Sequence, residues 1–192
     1  QTLSVTSSLG NQSATVGEIV VAPPEAVTNA TVRVGSESVG PGGTTTVNLT
    51  LDQAPQGLAR YNLTARLSVA DSGVRVIEAT APTVFNDSVT ETTIDPDNQT
   101  AEIRATDITE LVDTNATNAS LGTVTVAANE SANVSQTDLR VSVERIDDDS
   151  GTPINVTTQN GTVTVRKQGP LVPGLNPPSD PDNDGVFEDV NG

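Results

Sequence analysis

The 192-residue chain contains no cysteine, no histidine, no methionine and no tryptophan. Without Cys or His it cannot build a zinc finger, an iron–sulfur cluster, a haem ligand, a thiol nucleophile or a catalytic imidazole. Without disulfides, stability must come from a packed core or from bound ions. Aromatic residues are 2% of the chain, namely Tyr61, Phe85 and Phe187, so platforms for stacking sugars or bases are nearly absent. Basic residues are also scarce. Nine Lys and Arg stand against 25 Asp and Glu, for a net charge of −16, and this excludes a basic footprint for nucleic acid. No run approaches the roughly eighteen apolar residues of a membrane span. Residues 1–10 lack the basic start and apolar run of a signal peptide. A start at Gln1 without Met fits a chain exported after signal-peptide cleavage, although an arbitrary boundary would look the same.

What is present points to the outside of a cell. Eight of the nine cations are Arg, with Lys167 the single Lys, and the acids are spread along the chain. Such a chain repels itself at low ionic strength and is relieved by salt. This fits a protein of a high-salt organism, with an ordinary acidic extracellular protein as the plainer alternative. Asn-X-Ser/Thr sequons begin at Asn11, Asn29, Asn48, Asn62, Asn86, Asn98, Asn115, Asn118, Asn129, Asn133, Asn155 and Asn160, and these are 12 of the 15 asparagines. Chance placement would give about three or four, so the excess points to N-linked glycans on an exported chain.

The hydrophobic pattern has period two almost throughout. Val47, Leu49 and Leu51 alternate with Asn48 and Thr50, and Tyr61, Leu63, Ala65, Leu67 and Val69 alternate in the same way. Similar Val/Thr-rich runs cover 74–80, 89–95, 100–108, 121–128, 138–146, 153–159 and 161–167. Turn clusters separate them at Gly40 to Gly43, Asp71 to Gly73, Asp95 to Asn98 and Asp147 to Gly151. Asn160-Gly161 reads as a type I′ hairpin turn. About nine or ten short strands predict an all-β antiparallel sandwich of two sheets, each with one wet face. Only 106–118 looks weakly helical, as a short turn or helix. Residues 1–30 form an extended N-terminal segment, residues 31–166 the sandwich, 167–179 a Pro-rich linker and 180–192 an acidic tail.

The strand and turn pattern resembles a known family. VRVGSESVGPGGTTTVNLTL at 32–51, GLARYNLTARLSVADSGVRVIEAT at 57–80, LGTVTVAA at 121–128 and NGTVTV at 160–165 are similar to the successive strands of cohesin-like domains, here of a haloarchaeal-type extracellular protein. The resemblance implies a jelly-roll sandwich of about nine strands that binds other proteins through one sheet face. The tail DPDNDGVFEDVN at 180–191 resembles the first calcium loop of a dockerin, the module that cohesins bind. Asp180, Asp182, Asp184, Val186 (through its carbonyl), Glu188 and Asn191 would supply oxygen ligands to one Ca²⁺, and Gly185 the sharp bend. Asn191 stands where a carboxylate is usual, which lowers affinity.

Other constellations are weaker. Asp147-Asp148-Asp149-Ser150-Gly151 fits either a cation site or a solvated loop, and Asp95-Pro96-Asp97-Asn98 is most simply a turn. Paired carboxylates can hydrolyse glycosides, but here too few aromatics exist to hold a sugar. The readings that remain are non-enzymatic. One is a secreted, glycosylated subunit of a cell-surface or matrix filament, linked to copies of itself by strand donation from residues 1–30 or by calcium-ordered tails. Residues 1–30 equally allow a strand of their own sandwich or a disordered leader. The other is a cohesin-like module that captures a dockerin-like partner without polymerising.

Overall fold

A computed structural model describes residues 2–9, 12–20, 29–69, 73–85, 89–108 and 112–167. The Pro-rich segment after Lys167, the calcium-loop residues Asp180, Asp182, Asp184, Val186, Glu188 and Asn191, and the sequon asparagines Asn11 and Asn86 lie outside the described residues.

The described residues form thirteen strands: β1 (Thr2–Leu9), β2 (Gln12–Val20), β3 (Ala30–Val34), β4 (Glu37–Val39), β5 (Thr44–Ala54), β6 (Arg60–Leu67), β7 (Val74–Thr80), β8 (Glu91–Ile94), β9 (Thr100–Thr106), β10 (Ala116–Ala128), β11 (Ser135–Asp147), β12 (Val156–Gln159) and β13 (Gly161–Val165). β1 and β2 pair antiparallel as a two-stranded sheet, from Thr2 opposite Val20 to Leu9 opposite Gln12. The other eleven strands make a sandwich. Its five-stranded sheet has the order β12-β3-β5-β10-β7, and its six-stranded sheet the order β4-β13-β11-β6-β9-β8.

Alternation decides what faces inward. On β5, Val47, Leu49 and Leu51 are fully buried while Asn48 is exposed. On β6, Tyr61, Leu63, Ala65 and Leu67 point into the same core. Val69 does not join them: β6 ends at Leu67 and Val69 is 49% exposed. Val124 and Val126 of β10, Ile103 of β9, Leu139 of β11 and Val163 and Val165 of β13 complete the interior. Two of the three aromatics close one part of it. Tyr61 meets Phe85 edge to face, with centroids 5.5 Å apart, and donates its hydroxyl to the Leu121 carbonyl at 2.8 Å.

Two local expectations need revision, and a third, open between a short turn and a helix at 106–118, resolves to the turn. The strand β4, only three residues long, is too short to show alternation, and it brings the sandwich to eleven strands rather than nine or ten. Among the described residues of 106–118 there is no helix: Thr106 ends β9, Thr114 and Asn115 turn, and Ala116 opens β10. Asn160-Gly161 is not a hairpin turn. β12 pairs in parallel with β3 in one sheet, whereas β13 pairs with β11 and β4 in the other, so this dipeptide carries the chain from sheet to sheet. Neither residue has the positive φ that a type I′ turn requires. Gly161 is needed for a different reason: a Cβ there would lie 1.8 Å from the Gly35 carbonyl oxygen.

The Gly40 to Gly43 and Asp95 to Asn98 turns form where their residues direct. Gly42 takes φ 74° and Asn98 φ 54°, and the Asn98 amide donates to the Asp95 carbonyl at 2.8 Å. The Asn98 carbonyl in turn accepts the Val76 amide at 2.8 Å, so this turn covers part of the open edge of β7.

Candidate functional site

The outer face of the six-stranded sheet carries most of the chain's positive charge. On β6 the polar positions are Arg60, Asn62, Thr64 and Arg66, since the alternate positions are committed to the core. β9 adds Glu102 and Arg104, and β11 adds Asp138, Arg140 and Ser142. A bulge between Val143 and Arg145 turns both Glu144 and Arg145 outward. Arg60, Arg66, Arg104, Arg140 and Arg145 therefore share one face, five of the eight arginines in a chain of net charge −16. Glu91, Glu102, Asp138, Glu144 and Asp147 stand among them, so this face is locally close to neutral.

The pairing is uneven across the face. Arg104 lies 2.5 Å from Glu102 and 3.7 Å from Glu91. Arg60 and Arg145 both donate through Nε to Oδ2 of Asp147, at 2.6 and 2.7 Å. At the other end of the sheet, Arg66 and Arg140 are direct cross-strand partners. Arg140 has Asp138 at 3.4 Å, and Arg66 has no ion pair among the described residues. Like charges placed opposite one another destabilise a sheet, so this pair opposes folding rather than assisting it.

The Asp147 to Asp149 cluster is part of the scaffold. The Asp147 side chain is 1% exposed. Burial alone would raise its carboxyl, but the hydrogen bonds from Arg60 and Arg145 outweigh burial and hold it below the usual carboxylate range. Asp148 closes the loop: its Oδ1 accepts the Ser150 amide at 2.9 Å, the Ser150 hydroxyl at 2.6 Å and the Thr152 amide at 2.8 Å. Asp149 packs its carboxylate against Gly57, whose added Cβ would lie 1.8 Å from Asp149 Oδ2. Among the described residues no group of three or more metal-ligating side chains converges on one point.

These bonds give a prediction. A carboxyl held low in the folded chain stabilises it fully above the unfolded value near pH ~4, and that contribution is lost as pH falls through the lower folded value. Asp147→Asn keeps the shape and removes the charge. It should destabilise the chain by about 1–3 kcal/mol at neutral pH and flatten the loss of stability below pH ~4. Thermal unfolding of both proteins across pH 2 to 7 checks this. Parallel curves through the acid range would contradict it.

The ten described sequon asparagines occupy three settings. Asn98, Asn115, Asn129, Asn133, Asn155 and Asn160 lie in turns or strand connections, with Asn29 just before β3. Asn48 and Asn118 are exposed on β5 and β10 of the five-stranded sheet. Asn62 alone sits on the arginine face. That face was not drawn from the sequence as a site. Its signal was there in the polar parity of Arg60 and Arg66 on β6 and of Arg140 on β11, but parity does not say which strands are neighbours.

No family model matches the chain, and no curated protein matches it. Solved structures do. The seventh ScaB type I cohesin from Pseudobacteroides cellulosolvens superposes with a TM-score of 0.64 at 14% identity, over 77% of this chain and 99% of that one. The sixth cohesin of scaffoldin B from Acetivibrio cellulolyticus, solved in complex with a Cel5 dockerin, gives 0.61 at 16%, over 72% and 100%. A non-cellulosomal cohesin from the hyperthermophilic archaeon Archaeoglobus fulgidus gives 0.56 at 16%, over 72% and 91%. The fold of this chain is the cohesin fold.

Proposed function

We propose that the chain is a non-catalytic, extracellular protein-binding module that captures an acidic segment of its partner on the outer face of the six-stranded sheet. The observation that carries this reading is the Arg66–Arg140 pair, two facing cations kept together on a strongly acidic protein. A carboxylate-rich ligand would relieve that repulsion with charge-assisted hydrogen bonds. The fold supports the reading, since cohesins of this fold have been solved in complex with dockerins. The partner it fits is a calcium-ordered acidic loop of the dockerin kind, borne by another protein or by residues 180–192 of a second copy. In that tail Asp180, Asp182, Asp184, Val186, Glu188 and Asn191 would hold the Ca²⁺. Export to a cell surface in a high-salt, archaeal setting fits the charge and the sequons. A carrier protein bearing residues 168–192, titrated into the full chain in calcium and high salt, tests the reading. Saturable binding is expected, and none at millimolar carrier would contradict it.

One observation favours a second reading, assembly by strand donation. β1 and β2 pair only with each other among the described strands, and an isolated two-stranded sheet is marginal in water. β7 pairs with β10 only from Thr123 to Ala128, so the stretch from Ala116 to Gly122 has β5 on one side and, among the described residues, no strand on the other. A groove of about 640 Å³ runs beside it, walled by Ala81, Pro82, Val84, Val112 and Ala119. The positive φ of Asn118 and the bulge between Ser120 and Gly122 limit regular pairing there to a short run. If this reading holds, light scattering of the full chain gives particles that disappear when residues 1–22 are removed. Monomers under all salt and calcium conditions would end it.

A further inference from the structure

We infer that N-glycans, where this chain carries them, sit on the loop asparagines at the two ends of the sandwich, and that Asn62 on the arginine face stays bare. Of the ten described sequon asparagines, nine are exposed and Asn62 is half-buried. Both chemically essential ends of its sequon are engaged by one carboxylate. The Asn62 Nδ2 donates to Glu144 Oε2 at 2.6 Å, and the Thr64 hydroxyl donates to Glu144 Oε1 at 3.4 Å. The Asn62 Oδ1 is buried, and Leu63 between the two is fully buried in the core. β6 is paired on both sides, with β11 and β9, so presenting this sequon to an enzyme means pulling an interior strand out of the sheet.

The loop sites differ in each respect. Asn98 and Asn115 take positive φ and are exposed. The Asn98 and Asn129 backbones bond Val76 and Gly73 at the end where β7 begins, and Asn133 follows in the same loop. The Asn115 amide bonds the Pro55 carbonyl at the opposite end. At Asn129 and Asn160 the side-chain oxygen is the engaged atom, accepting from Arg75 Nη1 at 2.7 Å and from the Val141 amide at 3.3 Å. That leaves Nδ2, the atom that reacts, outside those bonds. Asn29 and Asn155 are bonded to each other, Nδ2 of Asn155 to Oδ1 of Asn29 at 2.6 Å, so at Asn155 the reacting atom is the engaged one while Asn29 uses only its oxygen in this bond.

The reaction is a substitution at the sugar. Nδ2 bonds to the anomeric carbon of an oligosaccharide carried on a lipid phosphate or pyrophosphate. The bond from that carbon to the phosphate oxygen breaks, the electron pair leaves with the lipid phosphate, and Nδ2 gives up one proton. The resulting distribution rings the sandwich and keeps the arginines accessible. The assignment stands on geometry and holds whether or not that face binds a partner.

Glycopeptide mass spectrometry of the protein isolated from the cells that make it provides the test. Occupancy at Asn62 should be at least about tenfold below that at Asn98, Asn115, Asn129, Asn133 and Asn160. Equal occupancy at Asn62, which is what modification before folding would produce, overturns the inference. Bare asparagines throughout the loops overturn it as well.

Discussion

Gly161→Ala should abolish cooperative folding or lower the melting temperature by at least ~10 °C, the largest effect expected of any one-methyl change in this chain. The added Cβ would sit 1.8 Å from the Gly35 oxygen, 2.8 Å from the Gly35 carbonyl carbon and 2.8 Å from the Val34 oxygen. All three are backbone atoms, so no side chain can swing aside. Neither segment is free to move. Gly161 is in register with Leu139 of β11, and the Gly35 amide donates to the Asn48 carbonyl at 2.9 Å. The Thr162 amide is also held by the Ser36 hydroxyl at 3.1 Å. Relief requires β13 to peel from β11 or the β3–β4 connection to shift, which corresponds to more than about 4 kcal/mol. Gly151→Ala is the control. Its φ of 79° strains a side chain, but nothing lies within 4 Å, so the expected cost is only about 1–2 kcal/mol. Thermal melts of the two variants side by side decide it, and similar melting temperatures would contradict the account.

That glycine also marks the limit of what the sequence reveals. Alternation in TTTVNLTLD and RYNLTARL identified the inward faces of β5 and β6 because burial on one side is a local, period-two property. The turns at Gly40 to Gly43 and Asp95 to Asn98 were legible for a similar reason, since their residues set their own backbone angles. Asn160-Gly161 has the same local chemistry, yet its role is set by Gly35, a residue on a different strand that sequence spacing cannot place. Val69 continues the alternation of β6 but falls beyond its last pairing, so the pattern overran the strand. The candidate face was half legible. Arg60, Arg66, Arg104 and Arg140 occupy outward positions that the alternation of their own strands predicts, Arg145 faces out only through the bulge after Val143, and the meeting of Arg66 with Arg140 depends on β6–β11 register. The acidic loop at 180–191 was read from ligand spacing alone.

The second large effect concerns binding. Arg66→Gln combined with Arg140→Gln should weaken capture of an acidic calcium-loop segment by at least ~30-fold, about 2 kcal/mol. The loss is expected to persist in high salt. At molar ionic strength the Debye length is only ~3 Å, so long-range steering is already gone and what is removed is direct guanidinium–carboxylate contact. The double variant also ends a like-charge pair, so the free protein should be no less stable than the parent. This separates a binding defect from a folding defect: affinity falls while the melting temperature holds or rises. Arg33→Glu, on β3 of the other sheet, should leave affinity within about twofold. Calorimetric titrations of the three proteins with the carrier bearing residues 168–192 provide the comparison.

The most direct test uses the arginines themselves as reporters. Their Nε–H resonances give distinct probes: five (Arg60, Arg66, Arg104, Arg140 and Arg145) lie on the six-stranded face, and two (Arg33 on β3 and Arg75 on β7) lie on the other sheet. The full-length chain carrying Asp180→Asn, Asp182→Asn and Asp184→Asn keeps its own loop from competing. It is titrated in calcium with the carrier bearing residues 168–192. The resonances of the five are expected to shift together and saturate, Arg66 and Arg140 most, while those of Arg33 and Arg75 stay in place. Shifts confined to Arg33 or Arg75, or five unmoved resonances on the face at millimolar carrier, would contradict this.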